Sequence, residues 1–89
     1  MIRRRIVVTG RVQGVWFRES TRQAAERHGA AGWARNRPDG TVEIVVEGAE
    51  PAVEALVRFC ATGPRDARVE AIRVTPEEPE GLVGFVVRR

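Results

Sequence analysis

The 89-residue sequence contains no lysine, one cysteine and one histidine, and these shortages exclude several kinds of site. Cys60 has no partner for an internal disulfide, and one cysteine with one histidine does not supply the ligands of a zinc site. A Walker A loop needs a lysine before its serine or threonine, so this nucleotide-binding loop is excluded too. We therefore expect neither a metal site nor a cofactor.

Long hydrophobic runs are also missing from the chain. No segment approaches the roughly 18 apolar residues that a membrane-spanning helix needs. Three arginines precede the apolar run Ile6–Val8, but this run is too short for the core of a signal peptide. We therefore expect a cytoplasmic protein with no membrane partner.

The charge is basic overall but evenly spread along the sequence. The chain has 15 arginines, no lysine and 12 acidic residues, so its net charge is +3. Its sequence isoelectric point is near 10.9. This high value reflects the pKa of arginine together with the absence of lysine and tyrosine. Because acidic residues are interspersed throughout, we expect no nucleic-acid partner.

Length and composition are those of a small soluble protein. Hydrophobic residues make up 43% and charged residues 30% of the chain, as in ordinary globular domains. We predict a single domain over residues 1–89, and a monomer. The scarcity of asparagine, glutamine, cysteine and methionine is thermophile-like.

Hydrophobic spacing predicts a strand, a helix and a hairpin in the first half of the chain. The expected elements are a strand at Arg4–Thr9, a helix from Phe17 to His28 with Gly29 as its C-cap, and hairpin strands at Ala31–Asn36 and Thr41–Glu47. Arg37–Gly40 contains the proline and glycine of a tight turn. On the second hairpin strand, Val42, Ile44 and Val46 share one face.

The second half predicts another helix and two strands. The helix begins around Gly48–Pro51 and ends at Gly63–Pro64; an acidic loop at Pro76–Gly81 separates strands at Val69–Thr75 and Leu82–Arg88. The order β-α-β-β-α-β plus a C-terminal edge strand predicts an α+β, ferredoxin-like split βαβ sandwich. Its two helices lie on one face of a mainly antiparallel sheet.

The stretch Gly10–Ser20, GRVQGVWFRES, joins the first strand to the first helix. Arg18 falls in the first helical turn, where the helix dipole disfavours a cation. Successive N–H groups of a glycine-rich loop and a helix N-terminus bind anions, and the guanidinium fork of Arg18 suits a phosphate. The alternative is that Arg18 is a solvated surface residue and the glycines only turn the chain. Gly10 and Gly14 do not form the G-x-G-x-x-G dinucleotide motif.

Residues that commonly carry catalysis are few. His28 ends the first helix, where a capping or packing role is expected. Ser20, the only serine, has no evident base partner, and Cys60 lies in an apolar stripe that predicts a buried packing residue. An enzyme with this inventory would depend on positioning and charge stabilisation. It would suit a substrate that already carries a good leaving group.

Three motifs, Gly10–Arg18 (GRVQGVWFR), Gly32–Asn36 (GWARN) and Asp39–Val42 (DGTV), together resemble the acylphosphatase family, and the element order fits that family along the whole chain. Trp16 departs from the family pattern, as does Ala34, where the family often has a larger β-branched residue. The resemblance implies hydrolysis of an acyl phosphate to a carboxylate and inorganic phosphate, without metal or covalent intermediate. Free phosphate or sulfate would then compete with the substrate.

The resemblance also implies which residues form the site. It places the substrate phosphate on the loop amides and on Arg18, and the attacking water on Asn36. The implied phosphate-binding residues are Val12, Gln13, Gly14, Val15, Trp16, Phe17 and Arg18, and the implied catalytic residues are Arg18 and Asn36. An amide side chain can donate to water and accept from it without titrating.

Three alternatives remain open from the sequence. Asn36, the only asparagine, could serve the strand end before the turn. The chain could be a non-catalytic anion- or RNA-binding module, although the aromatic pair of the RNA-recognition fold is absent. It could also be a stand-alone relative of the acylphosphatase-like domain that opens the hydrogenase-maturation carbamoyl-transfer proteins, which are far longer and carry zinc-finger cysteines.

Overall fold

The structure, a computed structural model, describes residues 1–89 and contains five strands and two helices in the expected order. These are β1 (Ile2–Arg11), α1 (Phe17–His28), β2 (Ala31–Asn36), β3 (Val42–Gly48), α2 (Glu50–Thr62), β4 (Arg68–Glu77) and β5 (Phe85–Arg88). Gly29 ends α1 in the left-handed conformation and Pro51 lies in the first turn of α2, as predicted. Neither helix has the length and hydrophobicity to cross a membrane.

The five strands form one sheet in the order β4-β1-β3-β2-β5. Neighbouring strands are antiparallel except for β2 and β5, which are parallel. The two helices pack against each other and against one face of the sheet. The predicted α+β, ferredoxin-like fold is confirmed, and so is the position of the C-terminal strand at an edge.

The core lies between the sheet and the helices. Alternate strand residues point into it, and these include the predicted apolar face of β3. The strands contribute Ile6, Val8, Ala34, Val42, Ile44, Val46 and Phe85, and the helices contribute Phe17, Ala24, Ala25, Val53, Leu56 and Cys60. A shift of one residue would move every side chain of a strand to the opposite face, so this core fixes the register.

The face of the sheet away from the helices is covered by ion pairs. Arg3 donates to Glu47 and Glu77 at 2.8 Å each. Arg5 donates to Glu77 at 2.6 Å and also pairs with Glu43. Glu43 and Glu47 are almost fully buried, so all seven residues of β3 lack solvent exposure although only one face contacts the helices. The charges of β1, β3 and β4 therefore hold the same register as the core.

The prediction of a loop at Pro76–Gly81 is wrong for Pro76 and Glu77, which belong to β4. β4 continues through Pro76 to Glu77, because the Glu77 carboxylate lies between Arg3 and Arg5 of β1. Proline is tolerated because β4 is an edge strand, where a missing N–H costs no ladder bond on the open side.

The last strand is shorter than predicted, since β5 begins at Phe85 and not at Leu82. The backbone N–H groups of residues 80–82 donate to the Glu47 carboxylate at 2.8–3.0 Å, which holds this segment in a loop. The strand β1, in contrast, is longer than the predicted Arg4–Thr9, because it pairs with β3 on one side and β4 on the other. β3 is displaced by one residue from the prediction.

A bulge in β1 directs the chain into the loop before α1. The register between β1 and β4 shifts between Thr9 and Gly10. Gly10 has a φ of 130°, and a Cβ at this position would overlap the backbone carbonyl of Arg68. Both the space and the conformation therefore require glycine where β1 bends toward the loop.

Glu47 predicts an acid-sensitive step in stability. Burial alone would raise the pKa of Glu47, but the bonds from Arg3 and from the N–H groups of residues 80–82 outweigh burial and lower this pKa to about 2. A carboxylate whose pKa is lowered by folding stabilises the protein when the pH is above 4.5, the ordinary pKa of this group. This stabilisation is lost as the pH falls toward 2. We expect Glu47→Gln to lower the free energy of unfolding at neutral pH by about 2 kcal/mol, and to flatten its dependence on pH in this window.

Urea unfolding of the variant between pH 2 and 7 measures both effects. Glu54→Gln, on the exposed surface of α2, is the matched control and should leave the stability curve unchanged. An acid dependence that is equally steep with and without Glu47 would contradict the role assigned to this carboxylate.

Candidate functional site

The loop between β1 and α1 has an unusual backbone. Gly14 has a φ of 76° and Trp16 a φ of 63°, while the residues on either side of them have negative φ. Trp16 is the only non-glycine residue with positive φ, and it is the N-cap of α1. Alternation of left-handed and right-handed residues turns successive N–H groups toward the same side, which forms a concave anion-binding nest.

The N–H groups of this loop have no acceptor inside the protein. No backbone N–H from residue 12 to residue 17 donates to a backbone carbonyl, and the first N–H of α1 to do so is that of Ser20. Val12, Val15 and Phe17 are buried in the core, while the loop borders a cavity. A run of unpaired donors at a helix N-terminus is therefore the local structure of an anion site.

Two kinds of contact hold the loop in place. The buried side chains of Val12, Val15 and Phe17 anchor it in the core. The Gln13 side chain points elsewhere, because its Nε2 donates to the backbone carbonyls of Arg37 at 2.8 Å and Thr41 at 2.9 Å. Gln13 thus ties the loop to the β2–β3 turn.

Arg18, the second residue of α1, is half-buried and has a partner that the sequence did not indicate. Its Nη1 donates to the backbone carbonyl of Arg88, in β5, at 2.7 Å. Arg18 is therefore not a freely solvated side chain, and this one bond leaves the other N–H groups of its guanidinium available. A contact across 70 residues to a backbone oxygen has no sequence signal.

Asn36 ends β2 and lies on the side of the sheet that carries the helices. It pairs with Val42 of β3, and Val42 pairs in turn with Val8 of β1, two residues before Gly10. The strand register therefore sets Asn36 at the same end of the sheet as the loop. The Asn36 side chain makes no hydrogen bond within the protein.

The turn after Asn36 is closed by other groups. The N–H of Arg37 donates to the carbonyl of Thr41 at 2.9 Å, and the N–H of Gly40 donates to the carbonyl of Arg37 at 3.1 Å. The Asp39 carboxylate accepts bonds from the N–H and hydroxyl of Thr41. The Asn36 side chain therefore contributes no hydrogen bond to this turn, and the alternative role of supporting it has no such contact behind it.

A cavity of about 280 Å³ brings most of the expected residues together. Its lining includes Val12, Gly14, Trp16, Phe17, Arg18 and Asn36. The other two expected residues, Gln13 and Val15, do not line it, since their side chains point to the turn and the core. Sequence reasoning missed Glu19 and Val87, which also border the cavity. A hydrogen bond from Arg22 lowers the pKa of Glu19, so this carboxylate is ionised at neutral pH.

The cysteine, serine and histidine side chains lie outside this cavity. Cys60 is fully buried, and burial raises the pKa of its thiol to about 12, which confirms the predicted packing role. His28 is exposed at the end of α1, and Ser20 is in α1 but does not line the cavity. The cavity therefore offers donors, a cation, an amide and the Glu19 carboxylate, but no thiol, hydroxyl or imidazole side chain.

The profile of the acylphosphatase family matches residues 4–87. The chain belongs to the acylphosphatase family. An acylphosphatase from Gloeobacter violaceus is 53% identical over 88 residues, which cover 99% of this chain and 95% of that protein. The crystal structure of acylphosphatase from Bacillus subtilis superposes with a TM-score of 0.96 at 40% identity, with each chain covered completely.

The comparisons also found a similar domain within a much longer protein. HypF from T. kodakarensis contains a similar domain, with a TM-score of 0.86 and 33% identity over the whole of this chain. This chain covers only 12% of that protein, whereas it covers nearly all of the Gloeobacter and Bacillus acylphosphatases. The acylphosphatases therefore match it in length as well as in fold.

The left-handed conformation of Trp16 predicts a gain in stability on substitution by glycine. A non-glycine residue in this conformation costs roughly 1–2 kcal/mol, and the Trp16 side chain is 77% exposed, so little burial is lost with it. We expect Trp16→Gly to raise the free energy of unfolding by about 0.5–1 kcal/mol, after the added entropy of the unfolded chain is subtracted. Trp16→Ala removes the same ring but keeps the strain, so it should change stability little.

Thermal and urea unfolding of the two variants decide the point. If Trp16→Gly is no more stable than Trp16→Ala, the loop does not store the strain that its dihedral angles indicate.

Proposed function

We propose that this acylphosphatase-family protein hydrolyses the carboxyl-phosphate bond of acyl phosphates by direct attack of water, without a metal ion or a covalent intermediate. The observation that carries the proposal is the run of unpaired backbone N–H groups over residues 12–17, beside Arg18 and within one cavity with Asn36. These groups match the ground-state charge of a phosphate and the charge that develops as the bond breaks.

In this proposal the loop and Arg18 bind the phosphoryl group. The N–H groups of residues 12–17 donate to its oxygens, and the dipole of α1 adds partial positive charge at the same place. Arg18 contributes a full positive charge and further donors in a planar fork. Its bond to the Arg88 carbonyl fixes the guanidinium before the substrate arrives, which reduces the cost of ordering it.

Asn36 is proposed to orient the attacking water. Its amide has no partner inside the protein and lines the same cavity as Arg18. The water oxygen forms a bond to phosphorus, and the bond from phosphorus to the acyl oxygen breaks with its electron pair leaving on the carboxylate. The proton of the water passes to a phosphate oxygen of the substrate. Because a carboxylate is a good leaving group, positioning and charge stabilisation are sufficient and no protein base is needed.

Release of inorganic phosphate from benzoyl phosphate by the purified protein in EDTA tests this function. We expect turnover that chelator does not reduce and that added Mg²⁺ or Zn²⁺ does not increase. A protein that binds phosphate but releases none from benzoyl phosphate would be the non-catalytic anion-binding module. A requirement for added metal would contradict the mechanism.

Arg18 and Asn36 should differ in how they affect binding and turnover. We expect Arg18→Ala to weaken competitive inhibition by phosphate and to lower kcat by about 100-fold or more, the usual effect of losing a key charge-stabilising donor. Asn36→Ala should lower kcat by a similar factor, on the order of 100-fold, because an unoriented water loses the advantage of a bound geometry. It should leave phosphate inhibition nearly intact, since it removes no contact to the anion.

Steady-state kinetics with phosphate as inhibitor, together with thermal melts, measure these differences on the same preparations. Asn36→Asp is the sharper variant, because it keeps the shape but adds negative charge beside the phosphate and should impair both binding and turnover. A destabilised Asn36→Ala protein with normal kcat would instead support the structural role of this residue at the end of β2.

A further inference from the structure

A second cavity, of about 460 Å³, adjoins the proposed phosphate site. It is lined by three arginines, one aspartate and the tip of the loop: Arg11, Arg65, Arg68, Asp66 and Gly14–Trp16, with Ala67. Gly14 and Trp16 border both cavities, so the two meet at the loop tip. A molecule whose phosphate occupies the first cavity can therefore extend past Trp16 into the second.

The charges around this second cavity are not compensated by the protein. The side chains of Arg11, Arg65 and Arg68 are exposed and form no ion pair, whereas five other arginines form nine ion pairs with carboxylates of the chain. Asp66, the one acid of the cavity, forms no ion pair either. Three positive charges thus face one negative charge, and the region attracts anions.

The strand register sets two of these arginines opposite each other. Arg11 of β1 and Arg68 of β4 are direct partners across the antiparallel pair. Like charges directly opposite one another destabilise a sheet. The bulge at Gly10 produces this pairing, because it brings the β1 backbone against the carbonyl of Arg68.

The opposite edge of the sheet shows how the same problem is solved elsewhere. Arg35 of β2 and Arg88 of β5 are also register partners. Here Arg35 donates to Glu43 at 2.6 Å, and the Arg88 guanidinium lies 4.6 Å from the centre of the Trp33 ring. Each of these two arginines has its own counterpart, whereas Arg11 and Arg68 have none.

We propose that the cavity bordered by Arg11, Arg65 and Arg68 binds a second anionic group, carried by the acyl part of the substrate. The proposal rests on the function proposed above and narrows its substrate class to acyl phosphates whose acyl chain ends in a carboxylate or phosphate. Such a group is the negatively charged partner that Arg11 and Arg68 do not find within the protein. Trp16, exposed at the boundary of the two cavities, lies beside the acyl chain between the two anions.

Hexanoyl phosphate and adipoyl monophosphate form a matched pair of probes. They share the same carbon chain and the same phosphate, and only adipoyl monophosphate carries a carboxylate at the far end. We expect kcat/KM to be several-fold higher for adipoyl monophosphate at low ionic strength, and the ratio of the two values to approach one as salt is added.

The doubly substituted variant Arg65→Gln, Arg68→Gln tests the assignment to this cavity. Exposed charge pairs contribute modestly, so we expect the ratio of the two kcat/KM values to fall by about threefold to tenfold. Asp66→Asn should raise the ratio, because it removes the one negative charge of the cavity. The control Arg27→Gln, Arg58→Gln removes two charges from exposed, unpaired arginines on α1 and α2 and should leave the ratio unchanged.

The outcomes separate this inference from the function on which it rests. Hydrolysis of both probes with equal kcat/KM would overturn the second anion site and leave the proposed function standing. A ratio that falls equally in the control variant would reduce the effect to overall charge and overturn the assignment. Hydrolysis of neither probe would overturn the proposed function itself, and this inference with it.

Discussion

The structure is organised around backbone N–H groups that the protein does not pair. Those of residues 12–17 lead into α1 without an internal acceptor, and Trp16 within this run is left-handed. A left-handed tryptophan costs free energy, so the surrounding contacts must hold the loop in this conformation. The buried side chains of the loop supply one anchor and the Gln13 amide supplies the other. The anion that we propose to bind here accepts hydrogen bonds from these N–H groups.

The position of Asn36 relative to this loop depends on the sheet. Val8 of β1 pairs with Val42 of β3, and Val42 pairs with Asn36 of β2. A change in the register of β3 would therefore move Asn36 away from the end of β1. Two independent sets of contacts oppose such a slip. The apolar core fixes β3 from the helical side, and the bonds from Arg3 to Glu47 and from Arg5 to Glu43 fix it from the other side. Burial of charge on the outer face thus contributes to the geometry of a site on the opposite face.

The sequence predicted the features that depend on neighbouring residues, and it did not predict those that depend on contacts between distant residues. The helices, the hairpin and the apolar face of β3 follow from spacing and from Gly and Pro positions. The family resemblance singled out Arg18 and Asn36, which the structure sets at one cavity. The length of β4, the late start of β5 and the bond from Arg18 to Arg88 depend on residues distant in the chain. Glu77 and Glu47 read as ordinary acids in the sequence, because only the assembled sheet sets them beside Arg3.

Arginine in an unfavourable place is the most informative signal in this chain, but its meaning depends on what the fold sets beside it. Arg18 in the first turn of α1 is disfavoured by the helix dipole, and its only partner is a neutral carbonyl, which leaves its charge uncompensated. Arg35 is equally ill-placed beside Arg88, yet Glu43 neutralises it, so no ligand is needed there. Arg11 and Arg68 resemble Arg18, since repulsion between them is built into the register and no carboxylate relieves it. An unfavourable charge therefore indicates a ligand only where the structure shows that no other group compensates it.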